Sequence, residues 1–137
     1  NLPVTDASLA SIVCDLPFLH YPGKASIMGN RFNGFRSQKA LRECYRAAMQ
    51  EFHRVLKPGG ILIWKCMDVI ESNRQNWTHC FLWSWAVEIG FYPLDLFVQT
   101  SSRTLCGPNW QVQRHAKKSH CFWWVFRKSV AKSAAPA

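Results

Sequence analysis

Asp15-Leu16-Pro17-Phe18 places a carboxylate, a rigid proline and an aromatic ring within four residues. They follow directly on the apolar run Ser11-Ile12-Val13-Cys14, which reads as a buried parallel strand ending at this point. In open α/β sheets ligands bind outside the carboxyl ends of the strands, so the position itself points to chemistry. The Asp15 carboxylate and the backbone carbonyl beside Pro17 can both accept hydrogen bonds from an exocyclic amino group, and Phe18 can stack on the ring that bears it. Two acceptors on one amino nitrogen drive it toward sp³ and expose a lone pair for attack on a methyl donor. The plain alternative is a strand-end turn, with Asp15 as its former, Pro17 as its stop and Phe18 in the core.

The elements that must hold this tetrapeptide can be read from periodicity. Leu41, Cys44, Tyr45, Ala48, Met49, Phe52, Val55 and Leu56 recur at the spacing of one helical face; Ser37 can cap the start, and Lys57-Pro58-Gly59-Gly60 supplies a stop. Ile61-Leu62-Ile63-Trp64 reads as a second buried strand, and 72–75 as a polar turn. Trp77, Phe81, Leu82, Trp85 and Ile89 mark a second helix closed by Gly90. The stretch 94–100 alternates like a strand, and Cys121-Phe122-Trp123-Trp124-Val125-Phe126 is the last one. The order strand, helix, strand, helix, strand, strand predicts an α/β fold, a parallel sheet with one antiparallel strand at its end. Four strands and two helices are few for a sheet covered on both faces.

A chain of 137 residues has room for one domain but not for two independent cores, and 48% hydrophobic residues exclude wholesale disorder. The apolar runs are too short for a transmembrane helix, and Asp6 and Asp15 interrupt any secretory leader. An intracellular location, cytoplasmic or nuclear, follows as the expectation. Six cysteines (14, 44, 66, 80, 106 and 121) are an even number, but three lie in apolar periodic segments and read as buried reduced thiols. Cys106, His115, His120 and Cys121 lack a paired Cys-x-x-Cys spacing, so no metal site is expected. The seven tryptophans fall mostly in periodic segments and read as core. His53 and His79 read as surface or satisfied helix residues, and Lys65, at a strand end, is open between a structural pair and a place near substrate.

The tetrapeptide resembles the Asp-Pro-Pro-aromatic signature of class I S-adenosylmethionine-dependent amino-methyltransferases, which modify adenine N6 or cytosine N4 in nucleic acids. The resemblance extends to both sides. Leu2-Pro3-Val4 with Asp6 and Ser8 is similar to the segment leading into the signature strand, and Glu51-Phe52-His53-Arg54-Val55-Leu56-Lys57-Pro58-Gly59-Gly60 to the helix and turn after it. Lys65-Cys66-Met67-Asp68, Gly90-Phe91 and Gln113-Arg114-His115-Ala116-Lys117-Lys118-Ser119-His120 look like the later half of such domains, in the DNA methylase-like branch. The resemblance implies an incomplete Rossmann-like class I methyltransferase sheet over residues 1–128; the low-complexity stretch 129–137 is expected to be a disordered tail. It also implies S-adenosyl-L-methionine as cofactor, with Asp15, Leu16, Pro17 and Phe18 as the catalytic set and Asp15 a possible cofactor contact. Adenine N6 is preferred over cytosine N4, because the signature opens with Asp. The chain departs from the pattern in having Leu16 in place of the first proline. Asp-Leu-Pro-Phe is also similar to the motif of THUMP-containing tRNA guanine-N2 methyltransferases, where Gly follows in place of Leu19.

The family's glycine-rich cofactor loop has no counterpart here, and Gly59-Gly60 reads as a helix cap and turn. The cofactor half is therefore expected outside these residues, before Asn1 in preference to after Ala137. A methyltransferase-like module that binds nucleic acid or a partner without catalysis is the alternative.

Residues 96–137 hold seven of the seventeen basic residues and none of the eight acidic ones, which accounts for most of the net charge of +9. If strand 94–100 runs parallel to the first, the connection to the last strand hangs at the same edge as Asp15. It carries Arg103, Arg114, Lys117, Lys118, His115 and Trp110, suited to a phosphate backbone and a stacked base. The loop 19–36 adds Lys24, Arg31 and Arg36 and can close over a flipped base. Such contacts hold a backbone without reading sequence; the expected partner is nucleic acid, DNA in preference to RNA. The plain alternative is a solvated loop with counterions.

Overall fold

The computed structural model describes residues 1–18, 35, 37–102, 115–116 and 118–130. Among the described residues, six strands and two helices follow in the order β1 (Leu9–Cys14), α1 (Gln38–Val55), β2 (Leu56–Cys66), β3 (Val69–Glu71), β4 (Arg74–Asn76), α2 (Thr78–Ile89), β5 (Phe91–Thr100) and β6 (His120–Lys128). Four strands form one sheet in the order β1-β2-β6-β5. β1 and β2 are parallel, while β6 runs antiparallel to both β2 and β5. The last strand of the chain is thus inserted inside the sheet, and β5 runs in the direction of β1. The mixed α/β architecture, with its antiparallel last strand, agrees with the expectation from the sequence, except that this strand lies inside the sheet and not at its end.

α1 forms where the sequence asks for it. Ser37 is extended (φ −156°), and its hydroxyl accepts from the Ala40 N–H at 3.2 Å. Leu41, Tyr45 and Met49 lie on one face and are fully buried against Leu62, Trp64, Cys66 and Phe126 of the sheet, together with Leu82 and Ala86 of α2. Gly90 closes α2 in the left-handed region (φ 111°), and a β-carbon there would stand 3.1 Å from His53 Nε2.

Two local readings change. Lys57-Pro58-Gly59-Gly60 stops the helix but is no free turn: Leu56 already pairs with Leu9, and Ile61 with Ser11, so the four residues form a bulge inside β2. A β-carbon at Gly60 would meet the Lys57 and Ala10 carbonyl oxygens at 2.8 and 3.1 Å, which explains the glycine. The polar turn at 72–75 is the tip of a hairpin, β3–β4. Ser72 (φ 50°) and Asn73 (φ 60°) form the two-residue connection with positive φ that such hairpins favour. The hairpin is tied to the start of α1 by the Gln38 N–H donating to Glu71 at 3.0 Å, and by Arg42, which donates to Asn76 and lies over the Phe81 ring.

The N-terminal segment is pinned to the end of α1 through Arg54. Its guanidinium binds Asp6 and Glu51 and donates to the carbonyls of Leu2 and Val4. The carboxyl of Glu51 is held down at about 2 by that guanidinium and the Leu2 N–H. At the other end, Ser129 donates its N–H to the Gly90 carbonyl at 3.0 Å, which ties down the first residue of the expected tail; 131–137 lie outside the described residues. No helix among the described residues is long and apolar enough to cross a membrane.

Both helices pack on the face that carries Cys14, Leu62, Trp64 and Phe126. The alternate residues Val13, Ile63, Val125, Trp123, Phe97 and Tyr92 point to the opposite face, as the register requires. There Val13, Tyr92 and Phe97 are 67%, 57% and 56% exposed. Among the described residues, no helix covers this second face.

Candidate active site

β1 delivers Asp15 to the carboxyl edge of the sheet. Cys14 lies opposite Trp64, so the next residues along, Asp15 and Lys65, share one level of the sheet on its bare face. Lys65 Nζ stands 3.0 Å from Asp15 Oδ2. The same ammonium lies 5.1 Å from the centre of the Trp123 ring and 5.9 Å from that of Phe18, within reach of both π faces. Trp123 sits opposite Lys65 on β6 and donates its indole N–H to Gln99 on β5 at 2.9 Å; the Cys121 thiol reaches the same oxygen at 3.4 Å. Asp15, Lys65, Trp123 and Gln99 therefore form a row across all four strand ends.

The backbone of the tetrapeptide is held from the helical side. Tyr45 donates its hydroxyl to the carbonyls of Pro17 at 3.1 Å and Leu16 at 3.4 Å. Its ring is fully buried, 5.2 Å from that of Trp64 and 6.2 Å from that of Phe35, and burial raises its proton affinity well above the ordinary phenol range. Each carbonyl has two lone pairs, so the tyrosine fixes the strand end without exhausting its acceptors. Leu16 packs against the core. Cys14, directly before Asp15, is pushed up to about 12 by burial and so stays a neutral thiol.

A pocket of about 300 Å³ opens beside this row. Phe18, Lys65, Met67, Gln99, Thr100, Ser101, Lys118, Ser119, His120 and Cys121 line it, with no acidic side chain among them. The Ser101 N–H donates to the Ser119 carbonyl at 2.6 Å, so both ends of the basic connection emerge together at the edge that holds Asp15. This is where the shared direction of β1 and β5 requires it.

The sequence-derived candidates separate accordingly. Phe18 and Lys118 line the pocket, Asp15 stands behind its wall as the partner of Lys65, and Pro17 and Leu16 contribute carbonyls. His115 lies further off, its Nε2 3.1 Å from the Asn73 carbonyl at the hairpin tip. Lys118 also stands 5.7 Å above the Trp77 ring. Lys24, Arg31, Arg36, Arg103, Trp110, Arg114 and Lys117 lie outside the described residues. Tyr45, Gln99 and Trp123 were absent from the sequence reading of the site. Tyr45 and Trp123 sit in apolar patterns that mark them as core, and Gln99 gains meaning only through its register partner. Lys65 had a signal: it stands at the end of an expected strand.

His79 and Asp68 form a separate structural unit. The buried Asp68 carboxylate accepts from the His79 backbone N–H at 3.2 Å and its imidazole Nδ1 at 2.8 Å, while Phe122 stacks on the ring at 4.2 Å. The carboxylate thus caps α2, whose own N-cap residue, Trp77, has no capping side chain. No group of three metal-ligating side chains occurs among the described residues. Nor do they supply a cofactor cradle: Gly59 and Gly60 lie in the β2 bulge and Gly90 caps α2, so none follows a strand at the carboxyl edge.

No family model matches the sequence, and none of the curated proteins compared with it does. Solved structures do match. A protein assigned as a DNA modification methylase from Thermus thermophilus is 16% identical over 98% of this chain and 50% of its own, with a TM-score of 0.63. A second structure of that protein is a complex with S-adenosyl-L-methionine. The cytosine-N4-specific PvuII DNA methyltransferase is 15% identical over 93% of this chain and 45% of its own, with a TM-score of 0.64. The cyclase SpnF also matches, at 19% identity over 96% of this chain and 53% of its own, with a TM-score of 0.56. One fold here serves different chemistries, so the site and not the fold must carry the functional argument. The chain spans about half the length of these proteins, and it has the Rossmann-like methyltransferase fold that the DNA methylases among them display.

Proposed function

We propose that this chain is the amine-presenting part of an S-adenosyl-L-methionine-dependent methyltransferase that acts on an exocyclic amino group of a DNA base, adenine N6 or cytosine N4. The observation that carries this reading is the position of Asp15-Leu16-Pro17-Phe18 at the carboxyl edge, beside a base-sized pocket and the two ends of the basic connection. Asp15 and the carbonyls at Leu16 and Pro17 accept the hydrogens of the amine, and Phe18 stacks on the base. The pocket, at the small end of ligand sites, suits one base swung out of a duplex. Lys118, with Arg103, Arg114 and Lys117 of the same connection, holds the phosphates. Asp15 opening the signature favours adenine N6, whereas the PvuII likeness favours cytosine N4. When bound, S-adenosyl-L-methionine supplies the methyl group; the described residues hold only the amine side of the reaction.

The rest of the domain lies in polypeptide outside these residues. In support, among the described residues the sheet has helices on one face only, its other face exposes Val13, Tyr92 and Phe97, and the matched DNA methylases are about twice as long. In a protein carrying this chain together with its cofactor half, Asp15→Ala should lower methyl transfer to DNA by at least about a hundredfold. DNA binding should stay within about threefold. Retained transfer would remove Asp15 from the reaction. A second reading, binding without catalysis, is favoured by the Lys65 ion pair on Asp15; it requires no methyl transfer by the complete wild-type protein.

A further inference from the structure

A carboxylate flanked by aromatic faces is a trap for cations, since ammonium groups are drawn both by the charge and by the ring quadrupoles. At this site the trap is filled by the chain itself. The Lys65 ammonium lies 3.0 Å from Asp15 Oδ2, and the rings of Trp123 and Phe18 lie 5.1 and 5.9 Å from it. The Lys65 side chain is 21% exposed and that of Asp15 49%, so the ammonium is largely sheltered while the carboxylate keeps an open side. Lys118 adds a second cation to the pocket wall, which has no acidic residue.

The consequence concerns which amines can enter. An aliphatic amine is an ammonium ion at neutral pH; here it meets two lysines and a carboxylate whose charge is already balanced. A ring amine of a nucleobase is neutral and needs only lone pairs. Asp15 Oδ1 and the carbonyls of Leu16 and Pro17 retain these, because Lys65 takes Oδ2 and Tyr45 takes one position on each carbonyl. The same lysines attract the phosphate that a nucleotide brings with it.

We propose that Lys65 is the specificity-determining residue of this site: its pairing with Asp15 selects a neutral ring amine carried on an anionic phosphate and rejects ammonium substrates. The inference rests on the amine-presenting role of Asp15 proposed above.

The test follows the Trp123 indole N–H resonance of the 137-residue chain during titration with adenosine 5′-monophosphate or butylammonium at matched ionic strength. Lys65→Met, Lys65→Arg and Lys57→Met are compared with wild type; the last makes the same charge change at an exposed position in the β2 bulge. Wild type should respond to the nucleotide and not to butylammonium. Lys65→Met should weaken the nucleotide response about fivefold or more and gain a response to butylammonium, whereas Lys65→Arg and Lys57→Met should keep the wild-type preference. If Lys65→Met fails to fold by circular dichroism, Lys65→Gln makes the same comparison. Identical responses of wild type and Lys65→Met to both probes would overturn the role of Lys65 and leave the nucleotide reading standing. A wild-type preference for butylammonium, or no response to the nucleotide, would overturn that reading and this inference with it.

Discussion

Asp15 is placed by its neighbours on every side: Cys14 anchors the strand end in the core, Tyr45 grips the two following carbonyls, and Lys65 balances its charge. The buried thiol before it makes the fold sensitive to alkali. Cys14 is raised from 9.0 to about 12, so the folded state keeps a proton that the unfolded chain gives up above pH 9. Its contribution is complete below pH 9 and lost as pH rises toward 12. Cys66 and Tyr45, also raised by burial, add to the same loss. Cys14→Ala should therefore flatten, without abolishing, the fall in stability between pH 9 and 12. Urea unfolding at a series of pH values reads this; an unchanged slope would show that Cys14 ionises as freely in the folded state as in the unfolded one.

Among the elements, α2 depends on a cap from outside its own sequence. Trp77 provides no capping side chain, and Asp68, eleven residues before His79, takes that part while also binding the imidazole. Because α2 carries Leu82 and Ala86 into the core and its His79 carbonyl accepts from the Trp124 indole at 3.0 Å, loosening its start also loosens β6. Asp68→Ala should cost about 1–3 kcal/mol, the loss of a cap plus an unpaired polar group. Thermal and urea unfolding would measure it, and His79→Ala in the same background should add less than it does alone, because the two residues act as one unit.

At the scale of the molecule, the described residues form a sheet with helices on one face. Exposure of Val13, Tyr92 and Phe97 together is unusual for a free-standing domain and gives the isolated chain a surface prone to self-association. Phe97→Lys should raise the concentration at which the chain stays monomeric in light scattering, while changing its stability by less than about 1 kcal/mol, since only a cross-strand contact with Trp123 is lost. Unchanged association would mean that this face is not the sticky one. The charge follows a similar asymmetry. The segment 96–137 carries the basic excess, and the antiparallel insertion of β6 brings both ends of its loop to the edge that holds Asp15.

Much of this was legible in the sequence, because periodicity and strand-end position are local properties. The face of α1, its Ser37 cap, the Gly90 stop of α2 and the tetrapeptide at the end of β1 could all be read from residue types and spacing. Short-range patterns could not reveal the β3–β4 hairpin, whose three-residue strands are too brief to show alternation, nor the bulge at Lys57-Pro58-Gly59-Gly60, whose breakers look like a turn until Leu56 is seen paired with Leu9. The sequence by itself determined which groups stand at the strand end and therefore what an amine would meet there. Only the tertiary structure decided that Lys65 faces Asp15 and that Trp123 and Gln99 complete the row. Those partners are 50 or more residues apart from Asp15 in the chain, and their meeting is set by strand order and register, which no local pattern encodes.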